Sequence, residues 1–249
     1  MTTPNICIFG LPISKLSFDE TVERAYGFLS DENPHIIFTP NPEILMAARN
    51  NEEMHRLLAQ ADLLTPDGIG VVYASKIMGD SVKERVSGFD IASALLKRIQ
   101  NGEHSLYLLG GKPGVVDLAA ENIKKQYPNI KILGTHDGYF TDAEPIVSEI
   151  ADLAPDLLFV CLGSPKQEQF AVDYRERLNC KLMMGLGGSL DVFAGTVKRA
   201  PMFFQKLGLE WFYRLCKQPS RFVRMLSLPH FALIIIRDRI LKGRVNNER

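Results

Sequence analysis

Asp156-Leu-Leu-Phe-Val-Cys-Leu-Gly163 sets the tightest limit on how this chain can fold. The apolar run is too short for a helix and shows no alternation, so it reads as a strand buried on both faces, the setting of a parallel sheet covered by helices. It opens onto Ser164-Pro165-Lys166-Gln167-Glu168 and a helix beginning near Gln169. The same grammar recurs along the chain. Ile36, Ile37 and Phe38 form a strand that must end at Thr39-Pro40-Asn41-Pro42, because proline cannot donate to a ladder and pushes the residue before it out of the helical region. Residues 44–59 then carry Ile44, Leu45, Ala48, Leu57 and Leu58 with no internal Gly or Pro, as one crossover helix would. Leu63-Leu64 is a second brief strand, closed by Thr65-Pro66-Asp67-Gly68.

Further strands are read at 6–9, from 105 up to the turn at Gly110, at 130–134 and at 181–185. Helices are read at 16–29, with Ser17 as N-cap and Glu20 in the capping-box position, from about 67 to 76, at 89–100 and at 115–127. The fold class is therefore α/β and Rossmann-like: a largely parallel sheet with helices on both faces, followed by a basic helical C-terminal appendage. The expected division is residues 1–195 as the catalytic core and 196–249 as the appendage.

Successive strands of such a sheet end on one side, and ligands bind outside those ends. That rule brings Thr39, Asn41 and Asp67 to one rim, although Thr-Pro-Asn and Pro-Asp-Gly are also good turn sequences whatever the protein does. Gly110-Gly111-Lys112-Pro113-Gly114 joins a strand to a helix, an arrangement that sets backbone N–H groups and a helix dipole beside the turn and suits a phosphate, or is a plain turn. It matches neither the dinucleotide fingerprint nor a P-loop, which argues against a nucleotide-dependent oxidoreductase. Gln167 either caps its helix or offers an amide that donates and accepts, as a sugar or uracil ring requires. Asp191, after Gly187-Gly188-Ser189, either meets a ligand hydroxyl or caps the next helix. Asp142-Ala-Glu144 reads as a helix start, so neither metal nor cofactor is expected.

Lys and Arg total 29, as do Asp and Glu, but the balance is uneven. From residue 196 onward twelve basic residues face three acidic ones, a net of +9, which leaves −9 on the remainder. Such a split suggests that the C-terminal part meets something anionic. Met202, Phe203, Phe204, Trp211, Phe212 and Tyr213 lie there too, and the apolar run 226–236 is followed by Arg237, Arg239, Lys242 and Arg244, which reads as an interfacial anchor that is mobile in solution or, alternatively, packs on the body. Cys7, Cys161, Cys180 and Cys216 are widely spaced and form no Cys-x-x-Cys pair, so buried thiols in a reducing compartment are expected. No apolar stretch approaches the roughly 20 residues needed to span a bilayer, and no leader pattern is seen. The expected location is cytoplasmic, peripheral on the inner face of the cell membrane.

Taken together, Phe38-Thr-Pro-Asn-Pro-Glu43, Thr65-Pro-Asp-Gly68, Glu84-Arg-Val-Ser-Gly-Phe-Asp90, Leu108-Leu-Gly-Gly111, Gly134-Thr-His-Asp-Gly-Tyr-Phe140, Leu162-Gly-Ser-Pro-Lys-Gln-Glu168, Gly185-Leu-Gly-Gly-Ser-Leu-Asp191, Lys198-Arg-Ala-Pro201 and Leu209-Glu-Trp-Phe-Tyr-Arg-Leu215 resemble the WecG/TagA/CpsF glycosyltransferase family over almost the whole chain. The resemblance implies inverting transfer of N-acetylmannosamine from its UDP donor to N-acetylglucosamine carried on undecaprenyl diphosphate, a step of wall teichoic acid linkage-unit synthesis. A donor such as the uronic acid form of that sugar is the alternative. The resemblance makes Asp67 the general base, with Thr39 beside it in the catalytic set. Asn41, Arg85, Gln167 and Asp191 fall on motif positions expected to line the donor and acceptor pocket, together with Gly110 and Gly111. Arg214, Arg221 and Arg224 are expected to meet the diphosphate, since planar guanidinium groups suit bidentate phosphate contacts, or else to form a solvated basic face; Pro219 would break their helix in two. The expected partners are the UDP-sugar, the lipid-linked acceptor and an anionic membrane surface, with no nucleic acid; a homo-oligomer is compatible with the sequence.

Overall fold

A computed structural model describes residues 3–206, 208–217 and 226–247, with backbone alone for Lys206, Arg214 and residues 241–247. Among the described residues the strands are β1 (Asn5–Ile8), β2 (Leu11–Ser14), β3 (His35–Phe38), β4 (Leu63–Leu64), β5 (Ser105–Gly110), β6 (Lys131–His136), β7 (Leu157–Cys161) and β8 (Leu182–Gly185). They form one sheet in the order β1-β2-β4-β3-β8-β7-β5-β6, parallel throughout except for the β1–β2 hairpin. The mixed α/β, Rossmann-like reading is thus met.

Side chains alternate across each buried strand, and the helices divide accordingly. Leu158 and Val160 point to one side, where they share a core with Leu45 and Met46 of α2 (Pro42–Asn50), Leu58 of α3 (Glu52–Ala59), Val71 and Val72 of α4 (Ile69–Met78), and Phe170 of a later helix. Leu157 and Phe159 point to the other, against Ala25 of α1 (Phe18–Phe28), Leu95 of α5 (Gly88–Arg98) and Val116 of α6 (Val115–Gln126). The remaining helices are α7 (Glu144–Leu153), α8 (Lys166–Asp173, carrying Phe170), α9 (Ser189–Phe193), α10 (Met202–Lys206), α11 (Glu210–Lys217) and α12 (Ser227–Asn247).

Three local expectations change. Residues 44–59 are two helices, because Asn51 turns to an extended conformation (φ −138°, ψ 113°) and its side chain caps α3 by accepting from Met54 N–H. The strand at 11–14 escapes the sequence reading because Pro12 counts against a strand, yet Pro12 pairs opposite Cys7 in the hairpin. Cys161 and Cys180 are buried, and burial pushes both thiols up to about 12, whereas Cys7 and Cys216 are exposed. Cys7 sits on the outward-facing set of a strand whose exposure alternates.

The capping box of α1 forms as expected: Ser17 Oγ accepts from Glu20 N–H and Glu20 Oε2 accepts from Ser17 N–H. Ser17→Ala is therefore expected to lower stability by about 1 kcal/mol, read from the midpoint of urea unfolding.

At the far end of the chain, α12 lies across α4 and α2 and buries Phe231, Ile234 and Ile235 in the first core, with Phe231 edge-on to Phe9 at 5.7 Å. Leu233, Ile236 and Ile240 on the same helix are exposed. Among the described residues no helix is long and apolar enough to cross a membrane.

Candidate active site

Chain direction reverses between β5 and β7. The connection from β5 through α6 leads outward to β6, whereas that from β7 through α8 leads back to β8, so a crevice opens at their carboxyl ends. Gly110 makes the close approach possible: at φ +122° a Cβ there would lie 2.3 Å from the Cys161 carbonyl oxygen. Gly111 follows at φ +74°; its N–H donates to Cys161 O (3.2 Å) and its carbonyl accepts from Gly138 N–H (2.9 Å). From this turn, then, the crevice receives small size and the first turn of α6 rather than the Gly111 N–H.

Gln167 is buried in the first turn of α8. Its Oε1 accepts from Gly187 N–H at 2.7 Å, which settles the amide's orientation, and its Nε2 donates to Glu168 Oε1 at 2.9 Å. Glu168 is buried too. Burial holds its carboxyl above the usual range, and its Oε2 has no hydrogen-bond partner among the described residues. Asp191 is half-buried in α9; its backbone carbonyl accepts from Thr196 Oγ1 and Val197 N–H, while a Cβ on Gly188 would come within 3.6 Å of its Oδ2. Gly110, Gly111, Gln167 and Asp191 thus surround one stretch of the rim.

Thr39, Asn41 and Asp67 occupy the neighbouring stretch, and backbone bonds stitch their turns together. Asp67 N–H reaches Pro40 O (3.3 Å), Thr65 N–H reaches Phe38 O (3.0 Å), and Val86 N–H reaches Pro66 O (3.0 Å). Asn41 caps α2 through its Oδ1, which accepts from Ile44 N–H at 3.0 Å and leaves its amide nitrogen outside that bond. A Cβ on Gly88 would lie 2.9 Å from Thr39 Oγ1 and 3.0 Å from Leu186, so the start of α5 closes directly on Thr39 and joins the two halves of the rim.

Arg85 arrives on this same segment, within a ring of four charges among the described residues. Its Nη1 donates to Glu210 Oε2 at 2.9 Å and its Nη2 to Asp90 Oδ2 at 3.3 Å. Arg199 grips Asp90 with both terminal nitrogens, at 2.6 and 2.8 Å, and its Nε lies 4.0 Å from Glu210 Oε1. These pairs hold the Asp90 carboxyl below its usual range against the opposing effect of burial. Arg199 is shifted up despite burial, chiefly by Asp90, and Asp67 is close enough to add to that.

Sequence reasoning passed over Asp90, Arg199, Glu210 and Glu168 as site residues. Asp90 and Arg199 stand in quoted motifs, but their pairing spans 109 positions, and nothing local announces it. Of the three arginines expected to meet the diphosphate, Arg214 is described only in backbone, within α11; Arg221 and Arg224, like the break expected at Pro219, lie outside the described residues.

Residues 6–245 match the family model described as "Glycosyl transferase WecG/TagA/CpsF family". A protein of Bacillus subtilis (strain 168) named N-acetylglucosaminyldiphosphoundecaprenol N-acetyl-beta-D-mannosaminyltransferase is 39% identical over 222 residues, covering 89% of this chain and 86% of that one. Proteins of the same name from Bacillus spizizenii (strain W23) and Staphylococcus aureus (strain MW2) are 37% and 33% identical, covering 91% and 92% of this chain and 90% and 91% of their own.

Proposed function

This chain belongs to the WecG/TagA/CpsF glycosyltransferase family, and from that premise we propose that it transfers N-acetyl-β-D-mannosamine from UDP-N-acetylmannosamine to N-acetylglucosaminyldiphosphoundecaprenol. The observation that carries the reading is the likeness to three enzymes of that name across nearly the full length of both partners. The chemistry of the rim agrees with it. Transfer with inversion needs one carboxylate to take the proton of the attacking hydroxyl on the face opposite the departing UDP. Asp67, on a turn tied by backbone bonds to Phe38 and Pro40, is a carboxylate on a rigid support. Thr39 stands beside it as a hydroxyl able to orient the acceptor, and the spare amide hydrogens of Asn41 suit a sugar oxygen.

Departure of UDP leaves negative charge on a diphosphate, and preorganised cations stabilise it most cheaply. Arg85 fills this role at the rim, joined by Arg214, Arg221 and Arg224 from the appendage. Gly110 and Gly111 with the first turn of α6, Gln167 and Asp191 receive the nucleotide end. Arg199 is already matched by the Asp90 carboxylate, which favours a neutral donor sugar over one carrying its own carboxylate.

The appendage, residues 196–249, brings the enzyme to its lipid-linked acceptor. Met202, Phe203, Trp211, Phe212 and Leu226 are exposed amid a net charge of +9. Basic residues near an anionic leaflet contribute about 1 kcal/mol each, so several together hold a protein at the inner face of the membrane.

The test is acceptor-dependent UDP release with a short-chain lipid analogue of diphosphate-linked N-acetylglucosamine. UDP-N-acetylmannosamine is expected to turn over at least about 100-fold faster than its uronic acid form, a difference worth roughly 3 kcal/mol in the transition state. Turnover of the uronic acid alone would move the assignment to that donor.

A further inference from the structure

We propose that Arg199 is a positioning residue that keeps Asp90 from capturing Arg85, and so holds the Arg85 guanidinium out toward the donor diphosphate. The inference rests on the reading above that Arg85 meets the donor. Asp90 is the hub of the ring. Its Oδ1 takes one bond from Arg199, and its Oδ2 takes a second from Arg199 at 2.8 Å, one from Ser87 Oγ at 2.6 Å and the long one from Arg85 at 3.3 Å. Arg199 thus has the better share of this carboxylate, and Arg85 is left with one weak bond to it. The stronger partner of Arg85 is Glu210, at the start of α11, which holds its other terminal nitrogen at 2.9 Å.

Arg199 is itself fixed in plane. Its guanidinium lies over the Phe89 ring at 4.9 Å, and Phe89 stacks on Phe193 at 4.7 Å, so the group cannot swing off Asp90 without losing that face. The four side chains are only 13–32% exposed, a setting in which desolvation cancels most of the Coulombic gain. Stability alone therefore gives little reason for two arginines and two carboxylates to be gathered here. What the ring supplies is direction. A planar fork left alone beside a carboxylate closes on it with two parallel bonds, and Arg199 is what denies Arg85 that geometry. Removing Arg199 frees both oxygens of Asp90, Arg85 swings from Glu210 into a bidentate pair with Asp90, and the donor loses its cation.

The experiment compares donor KM and kcat for the full chain, Arg199→Gln, Arg199→Lys, and Arg199→Gln combined with Asp90→Asn. Arg199→Gln is expected to raise donor KM at least about tenfold with a smaller change in kcat, as loss of ground-state binding requires. Lysine keeps the charge but cannot span both oxygens, so Arg199→Lys falls between. Neutralising the captor should undo the capture: the double variant is expected within about threefold of the parent KM, a recovery that a merely structural strut would not give. A double variant worse than Arg199→Gln, or an Arg199→Gln enzyme with unchanged KM, overturns the proposal. If the parent fails to use UDP-N-acetylmannosamine, the functional reading falls by itself. UDP affinity by calorimetry and the Arg85–Asp90 distances in an Arg199→Gln crystal structure then decide the ring, with two distances below 3.0 Å expected.

Discussion

Asp67→Asn is expected to lower kcat by about 10³-fold, within the range that loss of a general base produces, while UDP affinity stays within about threefold of the parent. The substitution is nearly isosteric and leaves the Asp67 backbone bond to Pro40 untouched, so the turn and its backbone partners at Phe38, Pro40 and Val86 remain in place. What disappears is the lone pair that takes the proton of the acceptor hydroxyl. Because donor binding is assigned to other groups, Arg85 among them, donor KM should hardly move, and the loss should appear in a single-turnover measurement as a slow chemical step. The neighbouring Arg199 keeps its bidentate hold on Asp90 in this variant, so its charge is not left uncompensated. Full retention of rate would mean that the base lies elsewhere and that Thr65-Pro66-Asp67-Gly68 is a turn and no more.

The legible part of this fold was the part written in short-range chemistry. Leu157–Cys161 could be read as a doubly buried strand because both faces of a parallel strand need apolar residues, and the Pro and Gly turns after Phe38 and Leu64 marked the rim for the same local reasons. Ser17 and Glu20 announced a helix start that the backbone obeys. The four-charge ring was not legible, since Arg85, Asp90, Arg199 and Glu210 meet only after the sheet has brought three separate segments together. Glu168 was hidden for another reason: a glutamate at a helix start is ordinary at the surface, and only burial makes its orphaned oxygen notable. The apolar run of α12 was ambiguous in principle. Its hydrophobic residues lie around much of the helix, with Phe231 and Ile235 inward and Leu233 and Ile236 outward, so sequence alone cannot say whether protein or lipid covers which side.

Phe231→Ala is expected to destabilise the chain by about 3–5 kcal/mol, the usual cost of emptying an aromatic site in a core, and to lower Tm by roughly 10 °C. Phe231 is 2% exposed, packs edge-on against Phe9, and belongs to the same buried cluster as Leu45, Met46, Val71 and Val72. Those residues belong to α2 and α4, the two helices that follow Asn41 and Asp67 in the chain, so α12 braces the very elements that carry the base and its neighbour. Cutting the chain after Gly195 would strip this cover from both helices and abolish activity by unfolding as readily as by loss of the appendage arginines. Truncation therefore does not isolate the role of those arginines; single substitutions at 221 and 224, with Tm unchanged, do. A loss below about 1 kcal/mol for Phe231→Ala would instead mean that α12 leaves the body easily, as an exposed surface residue's substitution usually costs no more than that. In that case the interfacial side of the helix, Leu233, Ile236 and Ile240, would be free to turn with it toward a membrane.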